Sequence, residues 1–156
     1  MNADGRTDEA YVRRAMVLAD QAAANGDVPI GAVLLCGDTT FEAFNEKERV
    51  PDPTAHAEVL VLRQAATALA RWRLSDATLY VTKEPCVMCA GAMIAARIKR
   101  LVFGCFDPKG GAAGSIADVF ALEEVNHRVE VTSGVLADET GAQLQAFFAA
   151  KRQNAR

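Results

Sequence analysis

Two short stretches hold the residue types best suited to chemistry: Pro53-Thr54-Ala55-His56-Ala57-Glu58 and Pro85-Cys86-Val87-Met88-Cys89. One imidazole and two thiols form a donor set for zinc. The expected ligands are His56, Cys86 and Cys89, with one zinc ion per chain. Three protein ligands leave one tetrahedral position for water, which marks a catalytic site; a structural site wants a fourth protein ligand. The remaining candidates for that place are poor: His127 is the only other histidine, and Cys36 and Cys105 fall in apolar, strand-like runs. Glu58 is left as a carboxylate that does not bind the metal. His-x-Glu, a long gap and Pro-Cys-x-x-Cys together make the pattern of zinc-assisted hydrolytic deamination of a nucleobase. Zinc lowers the pKa of a bound water. Glu58 would take that proton, pass it to a ring nitrogen and then protonate the leaving amine.

These side chains must be brought to one point. Two apart on a helix, His56 and Glu58 cannot share a lateral face, because two residues turn a helix by about 200°. They converge only near a helix end. Asp52 as N-cap and Pro53 at the first helical position predict a helix from there to about Ala70. A second helix is predicted from Glu84-Pro85 to about Arg97, with Cys86 and Cys89 three apart in its first turn. Partial positive charge at a helix N-terminus favours thiolates. Two helix N-termini are therefore expected to aim at one spot.

The other elements follow the hydrophobic pattern. Helical spacing over residues 8 to 24 ends at Asn25-Gly26. Pro29 to Cys36 and Thr39 to Phe44 read as a hairpin about Gly37-Asp38. Further strands are expected at Ala77 to Thr82, Arg100 to Gly104 and Val129 to Thr132, with a short helix at Ser115 to Ala121 and a last helix from Ala137 to about Lys151. The class is α/β: a three-layer α/β/α sandwich on a mixed five-stranded sheet, with one antiparallel pair followed by parallel strands. At 156 residues the chain reads as one domain spanning 1–156, with residues 1–6 a flexible tail.

Composition narrows the function classes. About half of the residues are apolar, enough for a sizeable core. No apolar run reaches the roughly 20 residues of a membrane span, and the N-terminus lacks the features of a secretory signal, so a cytoplasmic protein with no membrane partner is expected. In such a chain a C-x-x-C pair favours metal binding or redox work over disulfides; taken alone, Pro-Cys-x-x-Cys fits a redox dithiol or a structural zinc site equally. The net charge of −3 argues against broad nucleic-acid binding but leaves room for local basic patches. Arg97, Lys99 and Arg100 form one candidate, and Lys151, Arg152 and Arg156 another; solvated surface charge is the competing reading.

Beyond the two site motifs, the chain carries Val28-Pro29-Ile30-Gly31-Ala32-Val33, Gly111-Ala112-Ala113-Gly114-Ser115, Asn126-His127-Arg128, Gly134-Val135-Leu136-Ala137-Asp138-Glu139 and Phe147-Phe148. With these, nearly the whole chain resembles the bacterial tRNA-specific adenosine deaminases, the TadA family. The resemblance implies a cytidine-deaminase-like fold and a homodimer. It also implies conversion of the wobble adenosine to inosine in the anticodon stem-loop of an arginine tRNA. By the same resemblance, Asn45 contacts the flipped nucleotide, Val28 and Pro29 form part of the base pocket, and the backbone of Ala57 faces the base. Asp107, Lys109, Asn126, His127 and Arg128 match positions around the anticodon loop, and Phe148 matches an aromatic near bound RNA. The chain departs from the family at three places. Ala43 and Phe41 stand where glycines usually precede the loop asparagine, and Phe106 stands where a polar residue is common.

Two other readings compete. One is a deaminase of free bases or nucleosides on the same scaffold. The other is a noncatalytic, zinc-containing RNA-binding protein, against which the retained Glu58 speaks.

Overall fold

The computed structural model describes Asn2 and residues 5 to 155. Of the expected N-terminal tail, Met1, Ala3 and Asp4 lie outside the described residues, as does Arg156 of the C-terminal basic patch. The elements run α1 (Asp8–Ala24), β1 (Gly31–Cys36), β2 (Thr39–Phe44), α2 (Ala57–Leu69), β3 (Ala77–Lys83), α3 (Val87–Ala95), β4 (Arg100–Cys105), β5 (Glu130–Thr132) and α4 (Ala137–Asn154). Where a helix was expected from Ser115, only the single 3-10 turn Val119–Ala121 forms. Gly114, at a φ of 134°, and Ser115, which favours caps and turns, oppose a continuous helix there.

The strand order is β2-β1-β3-β4-β5. The sheet is mixed, as expected, but it contains two antiparallel pairings. Strand β1 runs antiparallel to both β2 and β3, whereas β3, β4 and β5 are parallel. The reason is topological. The hairpin reverses the chain, the α2 connection returns it parallel to β2, and β3 then docks on the far side of β1. Residue register is regular throughout the hairpin, with Gly31 opposite Phe44 and Leu34 opposite Phe41. Phe41 and Ala43 are therefore accommodated in an unbroken ladder, and both pack against the core cluster beneath α2.

Strand alternation sends side chains to two cores. Ala32, Leu34, Leu79, Val81, Leu101 and Phe103 meet α2 and α3 on one face. Val33, Leu35, Tyr80 and Val102 meet α1 on the other. Helix α4 joins α1 on that second face, where Gln143 donates to the Met16 carbonyl at 2.9 Å. This is the three-layer α/β/α sandwich. Gly31 sets how closely α1 approaches the sheet, since a Cβ there would lie 2.0 Å from the Ala15 carbonyl oxygen. Among the described residues, no helix is long and apolar enough to cross a membrane.

The start of α1 is tied to the sheet by a polar knot. Thr7 caps the helix by accepting from the Ala10 N–H, and Asp8 sits in the first turn, where its charge favours the dipole. The Asp8 carboxylate takes two hydrogen bonds from Arg100, at 2.8 and 2.7 Å. Tyr80 stacks on Tyr11 with ring centroids 4.5 Å apart, and its hydroxyl donates to Asn2 at 2.7 Å. The Arg100 guanidinium holds the Asp8 carboxyl below its ordinary value of 3.8. Because the folded value is depressed, this contribution is complete above the ordinary value and is lost as pH falls through the folded one. Asp8→Asn should cost about 1.5–3 kcal/mol at neutral pH, the range for hydrogen bonds to a charged group. Urea unfolding of both proteins from pH 7 to pH 3 should show the gap closing below the ordinary value.

Candidate active site

Four loops meet along one edge of the sheet. They are the entry to β1, the segment from β2 to α2, the turn from β3 to α3, and the segment after β4. This edge includes the carboxyl ends of the parallel strands β3 and β4, the usual place for ligands in open α/β sheets. Both helices there start later than their sequence predicts. Helix α2 begins at Ala57 with His56 as N-cap, and α3 begins at Val87 with Cys86 as N-cap. Asp52 caps nothing helical: its carboxylate binds the Thr54 N–H and hydroxyl in a tight turn. An Asx turn competes with the helix start that Asp-Pro otherwise signals.

The shift by a few residues is what assembles the site. His56 and Cys86 have extended backbone, so their side chains leave the helix axes and meet between them. Glu58 and Cys89 follow in the first turns. His56 Nδ1 lies 3.6 Å from Cys86 Sγ and 3.5 Å from Cys89 Sγ. All three donor atoms lie within 4.8 Å of one another. Zinc bonds of about 2.1 Å to nitrogen and 2.3 Å to sulfur, at a tetrahedral angle, place the two about 3.6 Å apart. Both nitrogen–sulfur distances therefore match those of a zinc site.

Electrostatics point the same way. Cys86 is pulled down to about 3, first by a hydrogen bond from the Cys89 thiol and also by His56 and the Cys89 N–H. Cys89 is pushed up by that same bond to Cys86, then by burial and the Glu58 charge. Two sulfurs and a carboxylate crowd one partly dry space, and a divalent cation is what would let both thiols ionise. His56 is raised, chiefly by its bond to Cys86. Glu58 is 4 % exposed, and burial pushes its carboxyl up. That places a carboxyl of raised proton affinity beside the three donor atoms.

A small cleft of about 90 Å³ opens here, lined by Val28, Ile30, Asn45, Lys47, His56, Glu58, Lys83, Glu84 and Cys86. Larger surface hollows exist elsewhere, but none of those is lined by a metal-ligating set. Asn45 is 2 % exposed, and its Oδ1 accepts from the Ala57 N–H at 2.8 Å. From the segment just after β2 it satisfies the first of the N–H groups that the start of α2 leaves unpaired, while the His56 ring is turned to the sulfurs.

The chain is similar to known deaminases over most of its length. A family model described as MafB19-like deaminase matches residues 6–152. The tRNA-specific adenosine deaminase of Bacillus subtilis (strain 168) is 49 % identical over 142 residues, covering 90 % of this chain and 88 % of that protein. The chain belongs to the tRNA-specific adenosine deaminase family. A solved structure from work on A-to-I editing by tRNA:A34 deaminases superimposes with a TM-score of 0.83 at 42 % identity, covering 86 % of this chain and 99 % of that one. Guanine deaminase from Nitrosomonas europaea shares the fold at 25 % identity, with a TM-score of 0.78 over 92 % of this chain and 85 % of that one.

The deaminase places its other expected site residues in two groups. Val28 and Asn45 line the cleft with His56, Glu58 and Cys86. Pro29 and Ala57 are buried behind it. Asp107, Lys109, Asn126, His127, Arg128 and Phe148 do not line it. Asp107 organises the loop after β4 by accepting from the Lys109 and Gly110 N–H groups and pairing with Lys83 at 3.1 Å. His127 Nε2 lies 2.7 Å from the Ile98 carbonyl oxygen, and Arg128 donates to the Leu122 carbonyl at 2.8 Å, so both brace the loop that carries exposed Asn126. Lys109 is exposed, and Phe148 is 41 % exposed while Phe147 turns inward. Phe106 is half exposed and meets Phe103 edge-on.

Sequence reasoning missed Glu84. It is 1 % exposed, yet its carboxylate accepts from the N–H groups of Asp107, Ala113 and Ser115 and from the Ser115 hydroxyl. Burial raises its carboxyl, and these donors outweigh that and bring it below the ordinary value. The residue two before Cys86 thus anchors the whole loop from Asp107 to Ser115. Its only sequence signal was a charge at the end of a strand otherwise buried. Gly111 makes room for it, because a Cβ there would lie 2.2 Å from the Glu84 carboxyl carbon. Gly111→Ala should therefore cost about 1–3 kcal/mol, the usual range for overpacking. Denaturant unfolding would measure the loss.

Proposed function

We propose that this chain converts adenosine to inosine at the wobble position of an arginine tRNA anticodon, using one zinc ion held by His56, Cys86 and Cys89. The observation that carries the reading is the meeting of that ligand set with buried Glu58 in a single cleft. The family supports tRNA adenosine as the substrate, and the Asn126-His127-Arg128 motif supports the anticodon as the element read. Residues 1–156 act as one domain. The working species is a cytoplasmic homodimer.

When bound, zinc would supply a Lewis acid that lowers the pKa of a water molecule. The chain does the rest. Glu58, held at the start of α2, takes a proton from the attacking water and delivers it to the purine ring. A carbon–oxygen bond forms at the amine-bearing carbon. Glu58 then takes the second proton from the new hydroxyl and passes it to the amine; the carbon–nitrogen bond breaks, a carbonyl forms and ammonia leaves. A buried carboxyl with raised proton affinity suits both transfers. Val28, Pro29 and the Ala57 backbone bound the base. Asn45 has no protein partner at Nδ2 among the described residues, so that group is free to donate to the nucleotide. Asp107, Lys109, Asn126 and Phe148 meet the splayed anticodon loop, with His127 and Arg128 acting through the backbone they hold. A base must leave its stack to reach so small a cleft.

The deciding test is an arginine tRNA anticodon stem-loop with adenosine at the wobble position, incubated with zinc-loaded protein and analysed by nuclease digestion and mass spectrometry. Inosine at that base alone is expected. Its absence, alongside ammonia release from guanine or cytosine, would replace this reading with free-base deamination. Glu58→Gln should keep its zinc and lose about 10²–10⁴-fold in kcat, the scale of general acid–base catalysis. Cys86→Ser should hold less zinc after dialysis and unfold at lower temperature, since metal binding is coupled to folding.

A further inference from the structure

Two lysines line the cleft, and they differ in one respect. Lys83 is paired with Asp107 at 3.1 Å. Lys47 has no ion pair or side-chain hydrogen bond among the described residues. Three of the acids nearby are already engaged. Glu84 is saturated by its four donors, Glu46 pairs with Arg49, and Asp27 accepts from the Val28 and Glu48 N–H groups.

The backbone around Lys47 is fixed on every side. Glu46 N–H donates to the Ala55 carbonyl at 3.0 Å, Asp52 N–H donates to the Lys47 carbonyl at 3.2 Å, and buried Asp27 holds the Glu48 N–H at 3.0 Å. The fold thus presents an unpaired ammonium at the wall of the cleft that contains Glu58. It stands close enough for its charge to act on His56. A purine entering the cleft is neutral, and the anionic part of a nucleotide substrate is its phosphate. An ammonium serves as a point charge for phosphate from many directions of approach.

We propose that Lys47 binds a backbone phosphate flanking the extruded nucleotide and thereby favours a base within a strand over a free base. This rests on the proposed action on a base in RNA. Lys47 is not needed for the proton transfers, so its loss falls on binding.

The test compares wild type, Lys47→Gln and Lys47→Arg on the anticodon stem-loop across a range of sodium chloride concentrations. Lys47→Gln is expected to raise KM about tenfold, leave kcat within about twofold, and reduce the slope of log(kcat/KM) against log[salt] by about one, the signature of one lost phosphate contact. Lys47→Arg should restore both. Unchanged KM and slope in Lys47→Gln, with wild type active, would overturn the lysine assignment alone. A fall in kcat with KM and slope unchanged would also overturn it, by placing the charge at the reacting centre. Failure of wild type to form inosine would overturn the functional reading, and this proposal with it.

Discussion

The structure depends on the convergence of two helix starts whose N-cap positions are occupied by His56 and Cys86. An N-cap residue has extended backbone, so its side chain can leave the helix and reach across to another. That freedom lets a histidine and a cysteine 30 residues apart approach to 3.6 Å. It also has a cost, since a helix start needs its N–H groups satisfied. Asn45 meets part of that need for α2 by binding the Ala57 N–H from the end of β2. The hairpin, the helix and the ligand set are thereby joined in one polar construction.

A second polar construction lies beside the first. Glu84 and Cys86 sit in the same turn between β3 and α3, so one short segment both offers a donor atom for a metal and anchors a loop. Through Glu84 that turn fixes the loop from Asp107 to Ser115, and through Ala112 N–H to Pro85 O, at 2.8 Å, it fixes the backbone as well. Two of the residues expected to meet RNA, Asp107 and Lys109, are thus set by the same turn that carries Cys86. Displacement of either would be felt by both.

The sheet explains why these constructions share one edge. Parallel β3 and β4 both end there, and antiparallel β1 begins there, so their loops are neighbours whatever their sequence separation. Small residues allow the close approaches: Gly31 beneath α1 and Gly111 against Glu84. The four cysteines in the chain fall into two kinds. Cys36 and Cys105 are buried as small apolar groups whose thiols burial pushes up, whereas Cys86 and Cys89 face His56 at the helix starts.

The sequence by itself determined the α/β class and the order of the elements, because these follow from periodicities of 2 and 3.6, and residue type and spacing singled out His56, Cys86 and Cys89, which the fold brings together. It also carried the family, through motifs spread over nearly the whole chain. Only the tertiary structure decided where the helices begin. Asp52-Pro53 and Glu84-Pro85 both read as helix starts, yet Asp52 spends its carboxylate on Thr54 and Glu84 spends its own on a loop more than 20 residues away. Tertiary structure alone likewise set β1 antiparallel to both neighbours, made Asn45 a cap for a distant helix, and left Lys47 unpaired at the cleft. Each of these depends on which polar group meets which across the fold, and local sequence preferences carry no record of partners so far away.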